Sequence, residues 1–289
     1  MSNFEFNFEN KLNKSNVLIF AFFGLYFFIG LLIFKDYSIS LDEPINRING
    51  LVTLQYIVNK FSIPLDLSNV GVSIPSFESY SSNINIVYGV IFDLPLAFIE
   101  VFFDINDTRN IYLVRHFFTF LIFFLSTICF YNLIIFHYKK NFLALLGVLI
   151  LILSPRIFAE SFYNGKDIVF LSLVIFSIFY NLKVLNKCDT KSIFLASLFS
   201  ASATSLRVLG IYIPLLTFLF YYLNYKEKTG FYSLKKFSFY YLISFFIFLY
   251  LLWPYLWENP FQNFLHSFTQ LGNLSYTFYT LYMGEFINT

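Results

Sequence analysis

The apolar run Val17–Phe34, VLIFAFFGLYFFIGLLIF, places this chain in the membrane. Its 18 residues carry no charge, and a helix rising about 1.5 Å per residue needs roughly that length to cross a hydrocarbon core of about 30 Å. Lys11 and Lys14 precede the run, as basic residues precede the apolar core of a signal peptide. However, the run is long for such a core, and no small-residue cleavage site follows it. We therefore expect a retained membrane anchor.

The composition of the whole chain agrees with this interpretation. Of 289 residues, 58% are hydrophobic and only 12% are charged, against about 25% charged in an average soluble domain. The net charge of +2 and the lack of a basic patch interleaved with aromatic residues exclude nucleic acid as a predicted partner. Cys129 lies in an apolar run and Cys188 in a lysine-rich connector, so neither a disulfide nor a zinc site is indicated.

Six further uncharged runs follow the first one. They are Phe117–Phe136, Phe142–Ser154, Ile168–Leu182, Ser192–Leu206, Val208–Tyr225 and Phe237–Trp257. Three of them are short for a simple span, which favours partial or tilted helices there. We therefore expect an all-α polytopic membrane protein with about seven transmembrane helices and a long outer first loop that carries interfacial helices.

The positions of the basic residues predict the orientation. With the N-terminus in the cytoplasm, eleven of the 19 basic residues lie inside, and all eleven are lysines, as the positive-inside rule expects. They are Lys11, Lys14, Lys139, Lys140, Lys183, Lys187, Lys191, Lys226, Lys228, Lys235 and Lys236. The arginines then lie outside or at the outer boundary: Arg47, Arg109, Arg115, Arg156 and Arg207. This scheme requires the chain to turn near Arg207 and Gly210.

The resulting organisation has five parts. Residues 1–16 form a cytoplasmic N-terminus, 17–34 the first transmembrane helix, 35–115 the outer loop, 116–257 a bundle of about six transmembrane helices, and 258–289 an outer C-terminal segment. At the last boundary we expect Trp253 and Trp257 to act as interfacial anchors.

The outer loop opens on a helix start. Ser40 and Glu43 have the spacing of a capping box, and Pro44 suits the first turn of a helix that continues to Phe61. Residues 63–83 are rich in Ser, Pro and Asn and are expected to form a loop.

Residues 86–103 are apolar, but Asp93 and Glu100 lie seven apart and therefore share a helix face. Because two carboxylates at bilayer depth are costly, we expect an interfacial helix whose solvated face carries them.

The layout of these segments resembles a known superfamily. One span is followed at once by Asp42-Glu43, which opens a long outer loop; Arg115 lies near the start of the second span, and a short charged outer loop runs from Glu160 to Asp167. This resembles the GT-C superfamily of polyprenyl-phosphate-sugar glycosyltransferases, most of all the branch with protein O-mannosyltransferases and aminoarabinose transferases.

The resemblance has departures. Relatives often carry a His-Pro-Pro-like stretch where this chain has Tyr88–Pro95. They usually also have more spans and a further C-terminal part, so we expect a fragment or a minimal member.

The resemblance implies an activity and a set of site residues. The acidic residue after the first span is the family's catalytic carboxylate, which makes Asp42, with Glu43 beside it, the catalytic candidate. The donor is a sugar on a polyprenyl phosphate, transferred on the outer membrane face. The acceptor is a protein, lipid or glycan. The protein itself is surrounded by membrane lipid. The membrane is the bacterial inner membrane or, in a eukaryote, the endoplasmic reticulum.

Chemistry suggests how the other charged residues contribute. A departing phosphate needs fixed cations, and the planar fork of arginine grips phosphate oxygens well. The candidates for donor-phosphate binding are Arg207, Arg115, Arg156 and Lys166. Glu160 and Asp167 are candidates for positioning an acceptor or a divalent metal ion. The sequence contains no Gly-rich phosphate loop, so a nucleotide is not predicted.

Each candidate also has a purely structural interpretation. Asp42 and Glu43 suit the positive end of a helix as caps, and Glu160 and Asp167 suit pairs with Arg156 and Lys166 in a structural loop. We expect the three histidines to be interfacial or loop residues: His116, His137 and His266. The alternative functions are a transporter or flippase for a lipid-linked sugar and a non-catalytic assembly factor.

Overall fold

The computed structural model describes residues 14–80, 87–186, 188–225, 234–272 and 279–288, and these are mostly helical. The helices are α1 (Lys14–Ile33), α2 (Glu43–Phe61), α3 (Phe77–Tyr80), α4 (Asp93–Phe102), α5 (Thr108–Tyr138), α6 (Asn141–Ile152), α7 (Pro155–Tyr163), α8 (Asp167–Asn186), α9 (Thr190–Leu206), α10 (Tyr212–Tyr225), α11 (Leu234–Leu252) and α12 (Pro260–Gly272). An antiparallel hairpin of β1 (Tyr279–Tyr282) and β2 (Glu285–Asn288), which the sequence did not predict, follows α12.

Four described helices are long and apolar enough to cross a membrane. They cover Asn16–Asp36, Thr108–Tyr138, Asp167–Asn186 and Lys235–Leu252. A fifth span results if α6 and α7 count as one, although the chain bends by 70° between them. The all-α membrane class is therefore supported, but seven spans are not confirmed, because α9 has 17 residues and α10 has 14.

The side assignments stay predictions. Several lysines on which they rest lie outside the described residues: Lys11, Lys187, Lys226 and Lys228. The predicted segment ends at Asn83 and Ile86 lie outside them as well.

The chain breaks and turns between α9 and α10, where the charge pattern requires it. α9 ends at Leu206, Arg207 is extended at φ −142° and ψ 123°, and a 3-10 turn covers Val208–Ile211. Gly210 packs so closely on α9 that an added Cβ would lie 2.5 Å from the backbone of Ala203. The close approach requires glycine here, and it places Arg207 at the end of the helix pair.

α2 and α4 of the first loop also pack tightly against each other. An added Cβ on Gly50 would lie 2.5 Å from the carbonyl oxygen of Asp93, and Leu51, Leu54 and Ala97 form a shared apolar core. The first turn of α4 is thereby held against the middle of α2. The two helices form a platform next to the start of α5.

Two sequence expectations about exposure are wrong. Trp253, predicted to anchor at the interface, has 0% exposed surface and packs edge-on against Phe264 of α12. Asp93 and Glu100, predicted to face solvent, are both buried. The physical reason is that each of these groups packs on a residue of another helix: Phe264 for Trp253, Arg115 for Asp93 and Arg47 for Glu100.

A buried polar network joins α8, α9 and α11. The Ser200 hydroxyl lies 2.7 Å from that of Ser177 and 2.9 Å from that of Tyr241. Asn181 donates to Ser200 at 3.1 Å and accepts from Tyr241 at 3.0 Å. Such side-chain hydrogen bonds hold helices together where lipid supplies no hydrophobic drive between them.

We expect Tyr241→Phe to lower the stability of the bundle by about 1 kcal/mol, since membrane-protein hydrogen bonds of this kind contribute about that much. The measurement is reversible unfolding in mixed detergent and SDS micelles. Tyr222→Phe, at an exposed tyrosine of α10, is the matched control and should leave the unfolding midpoint unchanged. Equal midpoints for the two variants would mean that the network does not stabilise the bundle.

Candidate functional site

Asp42 ends the segment that leads from the first span into α2. It is the N-cap residue of α2, but its side chain makes no capping hydrogen bond and is exposed. The carboxylate of Glu43 instead accepts a hydrogen bond from the backbone N–H of Ser40 at 2.7 Å. The Glu43 half of the predicted capping box is therefore present. The cap interpretation fits Glu43 rather than Asp42.

Glu43 is also anchored to α5. Its Oε1 lies 2.9 Å from Nε2 of His116, and both side chains are buried. The two atoms are within ion-pair distance but do not meet the angles of a hydrogen bond. Ser40 and His116 thus hold the Glu43 carboxylate from two sides. Of the two adjacent acidic residues, only Asp42 faces the outside of the protein.

Asp93 and Arg115 form a second buried pair beside the first. Nη1 of Arg115 lies 3.0 Å from Oδ1 of Asp93. Burial raises the pKa of Asp93, and the guanidinium of Arg115 opposes that shift. Within the described part of the chain, Nη2 of Arg115 has no hydrogen-bond partner. A pair this deep is sensitive to the loss of either member, because a lone buried charge is costly.

Lys166 lies where the short charged loop Glu160–Asp167 contacts the outer loop 35–115. Its ammonium group stands over the ring of Tyr88, 3.5 Å from the centroid, which favours the charged form of the amine. Burial, the largest cause, and the positive charge of Arg207 nevertheless lower the pKa of Lys166 to about 8, against the opposing carboxylates of Asp93, Asp42 and Asp167. The amine therefore interacts electrostatically with all four charged groups.

Arg207 pairs with Asp167 at the edge of this group. Asp167 is the first residue of α8, and Asn164 connects it to the preceding helix. The side-chain amide nitrogen of Asn164 donates at 3.3 Å to the carboxylates of both Glu160 and Asp167. Asp167 and Arg207 each stay partly exposed. This pair therefore lies nearer the surface than Asp93 and Arg115.

Arg156 lies further out. It pairs with Glu160 at 2.8 Å, one helical turn away, and its side chain is 84% exposed. The structure thus connects Arg156 and Glu160 to the site through Asn164 but does not bring them into its centre.

The other ionisable residues of the site are connected by the contacts and charge interactions described above. We call these eight residues the polar cluster: Asp42, Glu43, Asp93, Arg115, His116, Lys166, Asp167 and Arg207. Two of them, Asp93 and His116, were not predicted as site residues from the sequence. A signal for Asp93 was present, since a carboxylate in an apolar run is costly unless a cation pairs with it. For His116, no sequence signal distinguished a buried anchor from an interfacial residue.

A metal site is not apparent in this geometry. Among the described residues, no group of three or more His, Cys, Asp or Glu side chains is placed to hold a metal ion. The suggested role of Glu160 and Asp167 in positioning a metal stays a prediction.

The electrostatics of the polar cluster can be tested without knowing the reaction. We expect Asp42→Asn to lower the pKa of Lys166 below about 8, because a carboxylate that favours the charged amine is lost. Arg207→Ala should raise it, because a repelling cation is removed. The measurement is the pH dependence of Lys166 acylation, followed by mass spectrometry. Shifts of opposite sign support the cluster, and no shift in either variant contradicts it.

No protein-family model, curated protein or solved structure matches this chain.

Proposed function

We propose that the chain is a glycosyltransferase that moves a sugar from a polyprenyl-phosphate donor to an acceptor, with the polar cluster as its active site. One observation carries the proposal. The exposed carboxylate of Asp42 lies within electrostatic reach of a lysine amine whose pKa is lowered to about 8, beside Arg207. A base and two cations in one place are what this transfer requires.

The chemistry assigns each group a role. The acceptor oxygen or nitrogen attacks the anomeric carbon and loses its proton to Asp42, which acts as general base. The bond between that carbon and the phosphate oxygen breaks, and the electron pair leaves with the polyprenyl phosphate. Lys166 and Arg207 offset the charge that develops on the phosphate. Arg115 is too deeply buried to contact it directly and stabilises Asp93.

An apolar surface near Arg207 suits the polyprenyl tail of the donor. α10 starts a few residues after Arg207, and its exposed side chains there are apolar: Tyr212, Leu215, Leu216 and Leu219. A phosphate bound at Arg207 would leave its polyprenyl chain at this surface. A donor that is both anionic and strongly apolar fits this combination better than a nucleotide sugar.

The test is a donor assay with membranes that contain the full chain. Membranes are incubated with a radiolabelled polyprenyl-phosphate sugar, and label transferred to acceptor or released to water is measured. Matched membranes without the protein give the background. We expect consumption of the lipid-linked donor and none of a nucleotide sugar. Consumption of the nucleotide sugar alone, or of neither donor in a panel of lipid-linked sugars, would contradict the proposal.

A further inference from the structure

α12 presents an apolar surface that no described part of the protein covers. Phe261, Leu265 and Phe268 are 76%, 49% and 51% exposed. Their spacing of four and three residues puts them on one face of the helix. Isolated exposed apolar residues are ordinary, but an aligned set on one helix indicates something that binds there.

The opposite side of α12 is fixed to the protein. Phe264 packs on the buried ring of Trp253, and Asn263 donates a hydrogen bond to the carbonyl oxygen of Tyr255 at 2.6 Å. The imidazole of His266 lies 2.8 Å from the hydroxyl of Tyr255, and Ser267 is fully buried. The orientation of the exposed face is therefore set by the fold.

The helix adjoins the end of a spanning helix. The indole N–H of Trp257 donates to the carbonyl oxygen of Tyr250 at 2.6 Å, two residues before α11 ends. Near that end the side chains of Phe246, Tyr250 and Leu251 are exposed and apolar or aromatic. Since α11 meets the length and composition criteria for a span, we expect those side chains to face lipid. Trp257, a residue type enriched at membrane interfaces, lies between this end of α11 and the start of α12.

Charge supports the same conclusion. Between Glu258 and Glu285 the sequence contains no Asp, Glu, Lys or Arg. The exposed polar side chains of Gln262 and Thr269 lie on a third face of α12, and the exposed Gln270 lies on the side away from Leu265. We infer that α12 lies along the membrane surface, with Phe261, Leu265 and Phe268 inserted among the lipid acyl chains near the headgroups. Because the helix lacks cations, this insertion does not depend on anionic lipids.

The test uses single-cysteine variants of the full chain in a Cys129→Ser, Cys188→Ser background, reconstituted into phosphatidylcholine vesicles. A bimane fluorophore is placed at Leu265→Cys or, as the matched control at an exposed polar position away from the apolar face, at Gln270→Cys. Two quenchers are compared: a nitroxide on the lipid acyl chain close to the glycerol, and aqueous iodide. We expect the ratio of lipid to iodide quenching to be several times larger at 265 than at 270.

Two results would overturn the inference. Equal ratios at the two positions would mean that the face is in water. Protection of position 265 from both quenchers, with energy transfer between differently labelled copies, would mean that a second copy covers the face. Neither result depends on the proposed transferase activity.

Discussion

Asp42→Asn is expected to lower sugar transfer by about 10²- to 10⁴-fold, the usual contribution of a general base. Asparagine keeps the size of the side chain but cannot accept a proton from the acceptor. Because Asp42 is exposed and makes no capping hydrogen bond, the substitution should leave the fold intact. The measurement is the rate of label transfer at saturating donor, with the amount of membrane-inserted protein determined in parallel.

The matched control is Asp36→Asn. Asp36 is also an exposed carboxylate between α1 and α2, so it reports on a general loss of negative charge there. We expect it to keep wild-type activity. Equal activity in wild-type and Asp42→Asn protein would remove Asp42 from the mechanism while leaving the activity in place. Equal losses in both variants would point to an effect of charge on membrane binding instead.

Glu43 gives a contrast within the same turn. Its buried carboxylate is held by Ser40 and approached by His116, so its role in the structure is to fix the turn that carries Asp42. The sequence could not separate these neighbours, because both suit a helix start and both suit catalysis. Only the contacts of Glu43 with Ser40 and with His116 of α5 decide which carboxylate stays accessible.

The sequence did predict the elements that carry the polar cluster. Apolar runs located α1, and cap and turn residues located the start of α2, because local physics governs both. The placement of the lysines predicted the break at Arg207. Length was a weaker guide: α9 and α10 follow the predicted runs yet are too short to count as spans. Helix length alone does not distinguish a helix that stops short from one that crosses the membrane broken or tilted.

What the sequence could not predict was pairing over distance. Periodicity places Asp93 and Glu100 on one face of α4 but does not say what the face meets. Asp93 pairs with a residue 22 positions away and Glu100 with one 53 positions away. Gly50 lets α4 approach α2 closely, and that approach turns the acidic face inward. The expectation of a solvated face failed because it treated the helix as if it stood alone.

Glu100→Ala is expected to destabilise the protein by about 3–5 kcal/mol, because it leaves the buried guanidinium of Arg47 without its counter-charge. The two side chains are only 4% and 8% exposed, and Nη2 of Arg47 lies 2.6 Å from Oε1 of Glu100. Nε of Arg47 adds contacts of 3.1 Å to both carboxylate oxygens.

The stability of Glu100→Ala is compared with that of a double apolar variant and with that of a variant at a more exposed ion pair. All are measured by unfolding in detergent. The double variant Arg47→Met, Glu100→Leu should recover most of the loss, since an apolar pair of similar volume avoids burying a lone charge. Arg156→Ala, which removes the largely exposed arginine of the Arg156–Glu160 pair, should cost no more than about 1 kcal/mol. If Glu100→Ala costs as little as Arg156→Ala, then the guanidinium of Arg47 reaches water, and α2 and α4 are held by their apolar contacts around Gly50 alone.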